Sequence, residues 1–286
     1  MDTNTISNTI PIQQEQDRNI IFKELLNLLK LFDEICRKEN IEYWLDFGTL
    51  LGAIRHGGFI PWDDDIDVSM TYQNYLKFFR VCDKYLPKHI RAVNYNRDRN
   101  SVYISRGYLQ NTKVLLKDVN GSTIHPFIDI FYYTALPKDV KSRWLMALKM
   151  KYCSLITRNE LLPITGGYIK KVVKSLLNLI LKNNVRKREK WNKYITEISY
   201  ESPIGEDCNL IGFGLSSPWD YAIYCVNENK CIKKDWVFPL KEISFEGLRT
   251  YGPAKPHEYL TVLYGDYMTP PPKGERKGTH ISGVLK

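Results

Sequence analysis

A chain of 286 residues with 43% apolar and 13% aromatic content can bury a sizeable core, which excludes an intrinsically disordered protein. Lysine and arginine total 41 against 32 acids, so the net charge of +9 suits an anionic partner: a nucleotide, a phosphorylated polymer, a membrane face or nucleic acid. The longest apolar run, Leu176 to Leu181, falls far short of the ~20 residues a bilayer crossing needs, and the polar stretch Met1 to Asn19 lacks a secretory pattern.

Six cysteines without a C-x-x-C pair fit reduced thiols and a cytoplasmic protein, and zinc on Cys208, Cys225 and Cys231 is disfavoured because no tight ligand pair is present. In chain order, residues 1–19 read as a loose tail. Ile21, Leu25, Leu28, Leu29, Phe32 and Ile35 then fall on one face of a helix within Glu15–Glu39. Ile41 to Phe47 reads as a strand, with Gly48-Thr49 as a tight turn and N-cap for a short helix through Arg55. Gly57-Gly58 ends that helix. Asp65 to Met70 alternates polar with apolar as a half-buried strand, which puts Asp65 and Asp67 on one face.

Thr71 is a cap for a helix over Tyr72–Tyr85, expected on the back of the sheet. Val102–Gly107 and Lys113–Lys117 read as strands around a turn, and Pro126–Tyr133 as an apolar strand interrupted by one acid, Asp129. From Asp139 to Tyr200 the pattern becomes helical and basic, with Ile169, Val172, Val173, Leu176, Leu177 and Ile180 striped beside Lys170, Lys171 and Lys174. That stripe suits core packing first and peripheral membrane contact second. Pro256 and Gly265 bracket a late helix. The division expected is a tail (1–19), a catalytic core (20–137), a basic helical insertion (138–205) and a C-terminal segment completing the catalytic domain (206–286).

The acids Asp63, Asp64, Asp65 and Asp67 repel one another, and a hard divalent cation such as Mg²⁺ or Mn²⁺ is the usual solution if they converge. A calcium hand fails, because its glycine and twelfth-position glutamate would be Val68 and Asn74. A D-x-D glycosyltransferase site is satisfied by Asp63-Asp64-Asp65 but does not require the upstream Gly-Thr. A polymerase-beta-like nucleotidyltransferase requires all of it: a small turn at a helix start, an acid-apolar-acid strand and a third acid on another strand. Gly48 and Thr49 would face phosphate oxygens, Asp65, Asp67 and Asp129 would hold one or two metals, and Asp63 or Asp64 could act as base. An acid between Ile128 and Ile130 is costly to bury without a cation or strong donors. The fold class expected is α+β, with a mixed sheet, flanking helices and a helical insertion.

The run from Gly48 to His56 and from Phe59 to Asp67 closely resembles the LicD family. The likeness continues through Ile128–Phe131, Phe245-Glu246-Gly247, Tyr264–Met268, Pro271-Pro272, Arg276 and His280. LicD proteins are similar to fukutin-related proteins. The resemblance implies transfer of an alcohol phosphate from a CDP-alcohol to a hydroxyl of a teichoic acid, lipopolysaccharide or related glycan precursor. Phosphocholine is the first expectation, ribitol or glycerol phosphate the alternatives, and nucleic acid is not an expected partner. It carries metal binding onto Asp65, Asp67 and Asp129, with Asp63 completing the acidic pattern. Gly48, Thr49, Arg55, His56, Trp62, Arg276 and His280 become substrate-binding candidates. Choline would ask for an aromatic cation pocket, for which Trp44, Trp62, Trp219 and Tyr264 are candidates.

Overall fold

The helical period winds Ile12–Lys38 into α1, whose inner face buries Leu25, Leu29 and Phe32 completely. The computed structural model describes residues 12–99, 106–157, 168, 171–172, 175, 185–212, 225–276 and 281–285. The expected tail boundary at residue 19 therefore lies inside a helix. Arg18 there donates to the carbonyl of Pro61 at 3.1 Å, tying the helix to the loop before the acids.

The first strand is shorter than expected: β1 is Trp44–Leu45, and Phe47 already belongs to α2 (Phe47–His56). The cap is Asp46 rather than Gly48-Thr49. Its carboxylate accepts from the Phe47 amide at 2.7 Å, and Phe47 makes the tight turn with a left-handed φ of 44°. Gly57, at φ 75°, closes α2 as the glycine pair predicts. β2 (Asp67–Thr71) starts at Asp67, leaving Asp65 in the segment leading into it. Thr71 caps α3 (Tyr72–Val81), with its hydroxyl accepting from the Asn74 amide at 3.2 Å. A 3₁₀ turn over Cys82–Lys84 completes the predicted helical stretch.

The main sheet runs β1-β2-β7-β4-β3, where β3 is Ile90–Val93, β4 Gly107–Asn111 and β7 Phe127–Ala135. β2 and β7 are parallel and the other pairs antiparallel, so the sheet is mixed and the fold α+β. β4 lies later than the strand expected at 102–107, most of which falls outside the described residues; β5 is Leu116–Asp118 rather than 113–117. A β5–β6 hairpin (β6, Thr123–Ile124) stands apart from the sheet. The rings of Tyr72 and Tyr75 pack on Tyr132 of β7 at 4.8 and 5.0 Å, which puts α3 against the sheet as predicted.

Helices α4 (Val140–Thr157) and α5 (Val185–Glu201) follow β7. The expected stripe from Ile169 to Ile180 lies outside the described residues apart from Val172. β8 (Leu210–Gly212) and β9 (Ile232–Lys233) extend the sheet from the far end of β7. After the short α6 (Lys234–Val237), β10 (Lys241–Phe245) and β11 (Leu248–Gly252) form a hairpin turned by Glu246 and Gly247, both at positive φ. α7 spans Pro256–Tyr264, bracketed by the predicted proline and glycine, and β12 (Ile281–Val284) pairs with β5. Among the described residues, no helix is long and apolar enough to cross a membrane. The five described cysteine side chains are free thiols, and Cys208 and Cys231 donate to the carbonyls of Leu210 and Asn227.

Candidate active site

The parallel register of β2 and β7 makes Asp67 the direct partner of Asp129. The backbone fixes both. Asp129 N–H donates to Ile66 O at 2.9 Å, and Asp67 N–H donates to the Thr49 hydroxyl oxygen at 2.9 Å. Thr49 thereby locks the first turn of α2 to the acidic strand. Asp63 reaches the same place from the loop, because a Cβ on Gly48 would stand only 2.5 Å from its Oδ2. Any side chain at position 48 would displace that carboxyl.

Crowding acids in a water-poor place raises the cost of charge. Burial pushes the Asp67 carboxyl well above the usual range, and the neighbouring charges of Asp65 and Asp129 push it further. Asp63 is pushed up to about 7, by burial first and then by Asp65, to which it is also hydrogen-bonded. Asp129 is 5% exposed, and its cation is a residue that sequence reasoning missed: Arg106, with Nη1 at 3.1 Å and the guanidinium 5.0 Å above the Phe131 ring.

The donor set suits a hard divalent ion, because Asp65, Asp67 and Asp129 offer only carboxylate oxygens and their mutual repulsion is the term such an ion removes. Among the described residues, no three acid, imidazole or thiol side chains already stand at ligand geometry. Arg106 occupies one oxygen of Asp129, so direct coordination there requires the carboxylate and the guanidinium to share or part.

Beside the acids lies a basic and aromatic group. Arg276 sits 4.9 Å over the Trp62 ring and donates to Pro271 O at 2.8 Å, and the His56 ring stands perpendicular to Trp62 at 6.0 Å. Arg55 donates to Tyr267 O at 2.6 Å; burial lowers its pKa and the charge of Arg276 lowers it further. The structure thus brings together Arg55, His56, Trp62 and Arg276, while His280 lies outside the described residues. With a guanidinium on its face, Trp62 is a poor seat for a choline cation. Trp44 is fully buried, Tyr264 is exposed, and Trp219 lies outside the described residues.

Asp64, the other candidate base, is 9% exposed, and its Oδ2 accepts from the Ile281 amide of β12 at 2.7 Å. Asp46, fully buried, accepts from Phe47 N, Ser69 Oγ, Tyr133 OH and Tyr259 OH, which ties α7 to the start of α2. Glu246 accepts from the Phe59 amide at 2.9 Å and braces the loop that ends in Asp63. The only sequence signal for Glu246 was its place in the Phe-Glu-Gly run; Arg106 gave none.

Residues 40–160 match the family described as LicD/FKTN/FKRP, nucleotidyltransferase domain. Over that segment the chain is similar to the LicD family. It is 29% identical over 266 residues to the lipopolysaccharide cholinephosphotransferase LicD of Haemophilus influenzae, covering 90% of this chain and 93% of that protein. It is 57% identical over 40 residues to the ribitol 5-phosphate transferase FKRP of Homo sapiens, a match spanning 14% of this chain and 8% of FKRP. A GTP pyrophosphokinase family protein from Streptococcus pneumoniae aligns over 66% of this chain and 93% of its own at 13% identity, with a TM-score of 0.22, too low to bear on the fold. The matched segment contains Asp46, Gly48, Thr49, the loop acids, Asp67, Arg106 and Asp129, whereas Tyr259, Glu246 and Arg276 lie beyond it.

Proposed function

We propose that this protein is a phosphotransferase that moves an alcohol phosphate, phosphocholine first, from a CDP carrier to a hydroxyl of a cell-surface glycan precursor, on a nucleotidyltransferase-type core. The observation that carries the reading is the register pair Asp67 and Asp129 beside the Asp63 carboxyl over Gly48. Phosphocholine is favoured because the relative named as a cholinephosphotransferase aligns over nearly the whole chain.

Mg²⁺ or Mn²⁺ held by Asp65, Asp67 and Asp129 would supply charge neutralisation for the attacked phosphorus and the leaving CMP. The chain's own residues do the rest. Asp63, once ionised, is suited to take the acceptor hydroxyl's proton. The N-terminal turn of α2 at Gly48 and Thr49 presents the positive end of a helix dipole to a phosphate. Arg55 and Arg276, beside Trp62 and the His56 ring, form a basic wall that suits the donor's diphosphate.

The test is a panel of CDP-choline, CDP-ribitol, CDP-glycerol and UDP-sugars with Mg²⁺ or Mn²⁺, read by the nucleotide released. CMP from CDP-choline, falling at least about a hundredfold in Asp67→Asn, is expected. CMP from CDP-ribitol instead would shift the donor; UDP from a sugar nucleotide, or full activity in Asp67→Asn, would overturn the reading.

A further inference from the structure

Helix α4 carries apolar side chains on both of its sides. Its inner side buries Arg143, Ala147 and Met150, spaced by about one turn. Its outer side exposes Val140, Trp144, Leu145 and Leu148, by 42%, 55%, 55% and 59%; Val140, Trp144 and Leu148 form a ridge one turn apart, with Leu145 beside it. A helix on a globular surface ordinarily turns polar residues outward, so four neighbouring large apolar side chains mark a docking face.

The charge on α4 is one-sided. Its 18 residues include Lys141, Arg143, Lys149 and Lys151 and no acid. Arg143 is occupied internally, donating to the carbonyls of Pro137 and Lys138 at 2.8 and 2.9 Å. Lys141 and Lys149 are exposed beside the ridge, Lys149 also lying 5.9 Å from the Tyr194 ring of α5.

We infer that α4 lies along an anionic lipid surface, with Trp144, Leu145 and Leu148 in the interfacial layer and the flanking lysines at headgroup phosphates. Cations without a single acid complement a uniformly negative plane, whereas a protein partner's rim is ordinarily mixed in sign. Tryptophan at the centre of the ridge belongs at the boundary between headgroups and acyl chains. The contact is peripheral, a helix lying on the bilayer rather than through it.

The fold couples this face to the acids. β7 carries Asp129 near its start and leads through residues 136–139 into α4. That link is stiff: Asp139 accepts from the Ser142 amide at 2.8 Å, and Arg143 holds the two carbonyls before it. A docked α4 therefore orients the acidic site relative to the surface, whatever alcohol phosphate is transferred.

The experiment is co-sedimentation of the full chain with vesicles of phosphatidylcholine alone and of phosphatidylcholine mixed with phosphatidylglycerol. Binding to the mixed vesicles is expected, weakening as salt rises. Trp144→Ser with Leu148→Ser should reduce it about tenfold or more, and Lys141→Glu should also weaken it, with circular dichroism and thermal unfolding unchanged because all three side chains are exposed. Equal binding to neutral vesicles, or undiminished binding by the variants, would overturn the inference. So would a solution dimer that the serine variant dissociates, which would assign the ridge to a second copy of the chain.

Discussion

Arg106 holds Asp129 at 3.1 Å, on the strand directly beside Asp67, so the acidic site carries a guanidinium of its own. Both partners are largely withdrawn from water, at 19% and 7% side-chain exposure. In that setting a pair is worth most when one member is deleted, because the other is left charged without compensation.

Arg106→Gln should therefore destabilise the metal-free protein by about 3 kcal/mol. Adding Mg²⁺ should restore much of the loss, since a divalent ion at Asp129 replaces the missing charge. Thermal unfolding of the variant with and without Mg²⁺ checks this. A variant as stable as the parent in the absence of metal would mean that the ion pair is not what makes burial of Asp129 tolerable.

The raised carboxyls give a pH dependence with a definite sign. Asp63, shifted from 3.8 to about 7, and Asp67, shifted in the same direction, keep their protons in the folded state to higher pH than in the unfolded chain. Between about pH 4 and 7 the unfolded chain thus binds fewer protons, and stability falls as pH rises through that window. Denaturation of the metal-free protein should show this decline, and Asp63→Asn should flatten it. Parallel profiles for parent and variant would contradict the assignment.

Glu246 is remote from the acids in sequence, yet its carboxylate accepts the Phe59 amide at 2.9 Å and its own amide donates to Gly57 O at 3.1 Å. Glu246→Ala leaves a buried amide without that acceptor, and a loss of about 1 kcal/mol is expected. The loop it braces continues to Trp62 and Asp63, so donor KM should rise more than kcat falls. A variant with parental stability and KM would remove Glu246 from the support of the site.

Local patterns were legible where a single element could satisfy its own chemistry. The apolar period of α1, the Thr71 cap, the glycine stop at Gly57 and the Pro256 and Gly265 bracket all depend on bonds within a few residues. The start of α2 was misplaced because Asp46, rather than the small pair after it, accepts the first amide, and because Phe47 takes a backbone conformation seldom used by side chains of its size. The tie from Asp64 to β12 was illegible for another reason. The partner of Asp64, the amide of Ile281, lies 217 residues away.

The acids themselves are a property of the sequence: alternation and an apolar surround single out Asp67 and Asp129 before any coordinates, because a carboxylate in a buried strand demands a partner. Which groups meet them is not. Strand register set Asp67 against Asp129, chain crossing brought Arg106 to one of them and Asp63 to Gly48, and folding of the C-terminal segment delivered Arg276 to Trp62 and Tyr259 to Asp46. Periodicity reports which face of an element avoids water, whereas long-range pairing is decided only when whole faces compete for one another in the packed fold.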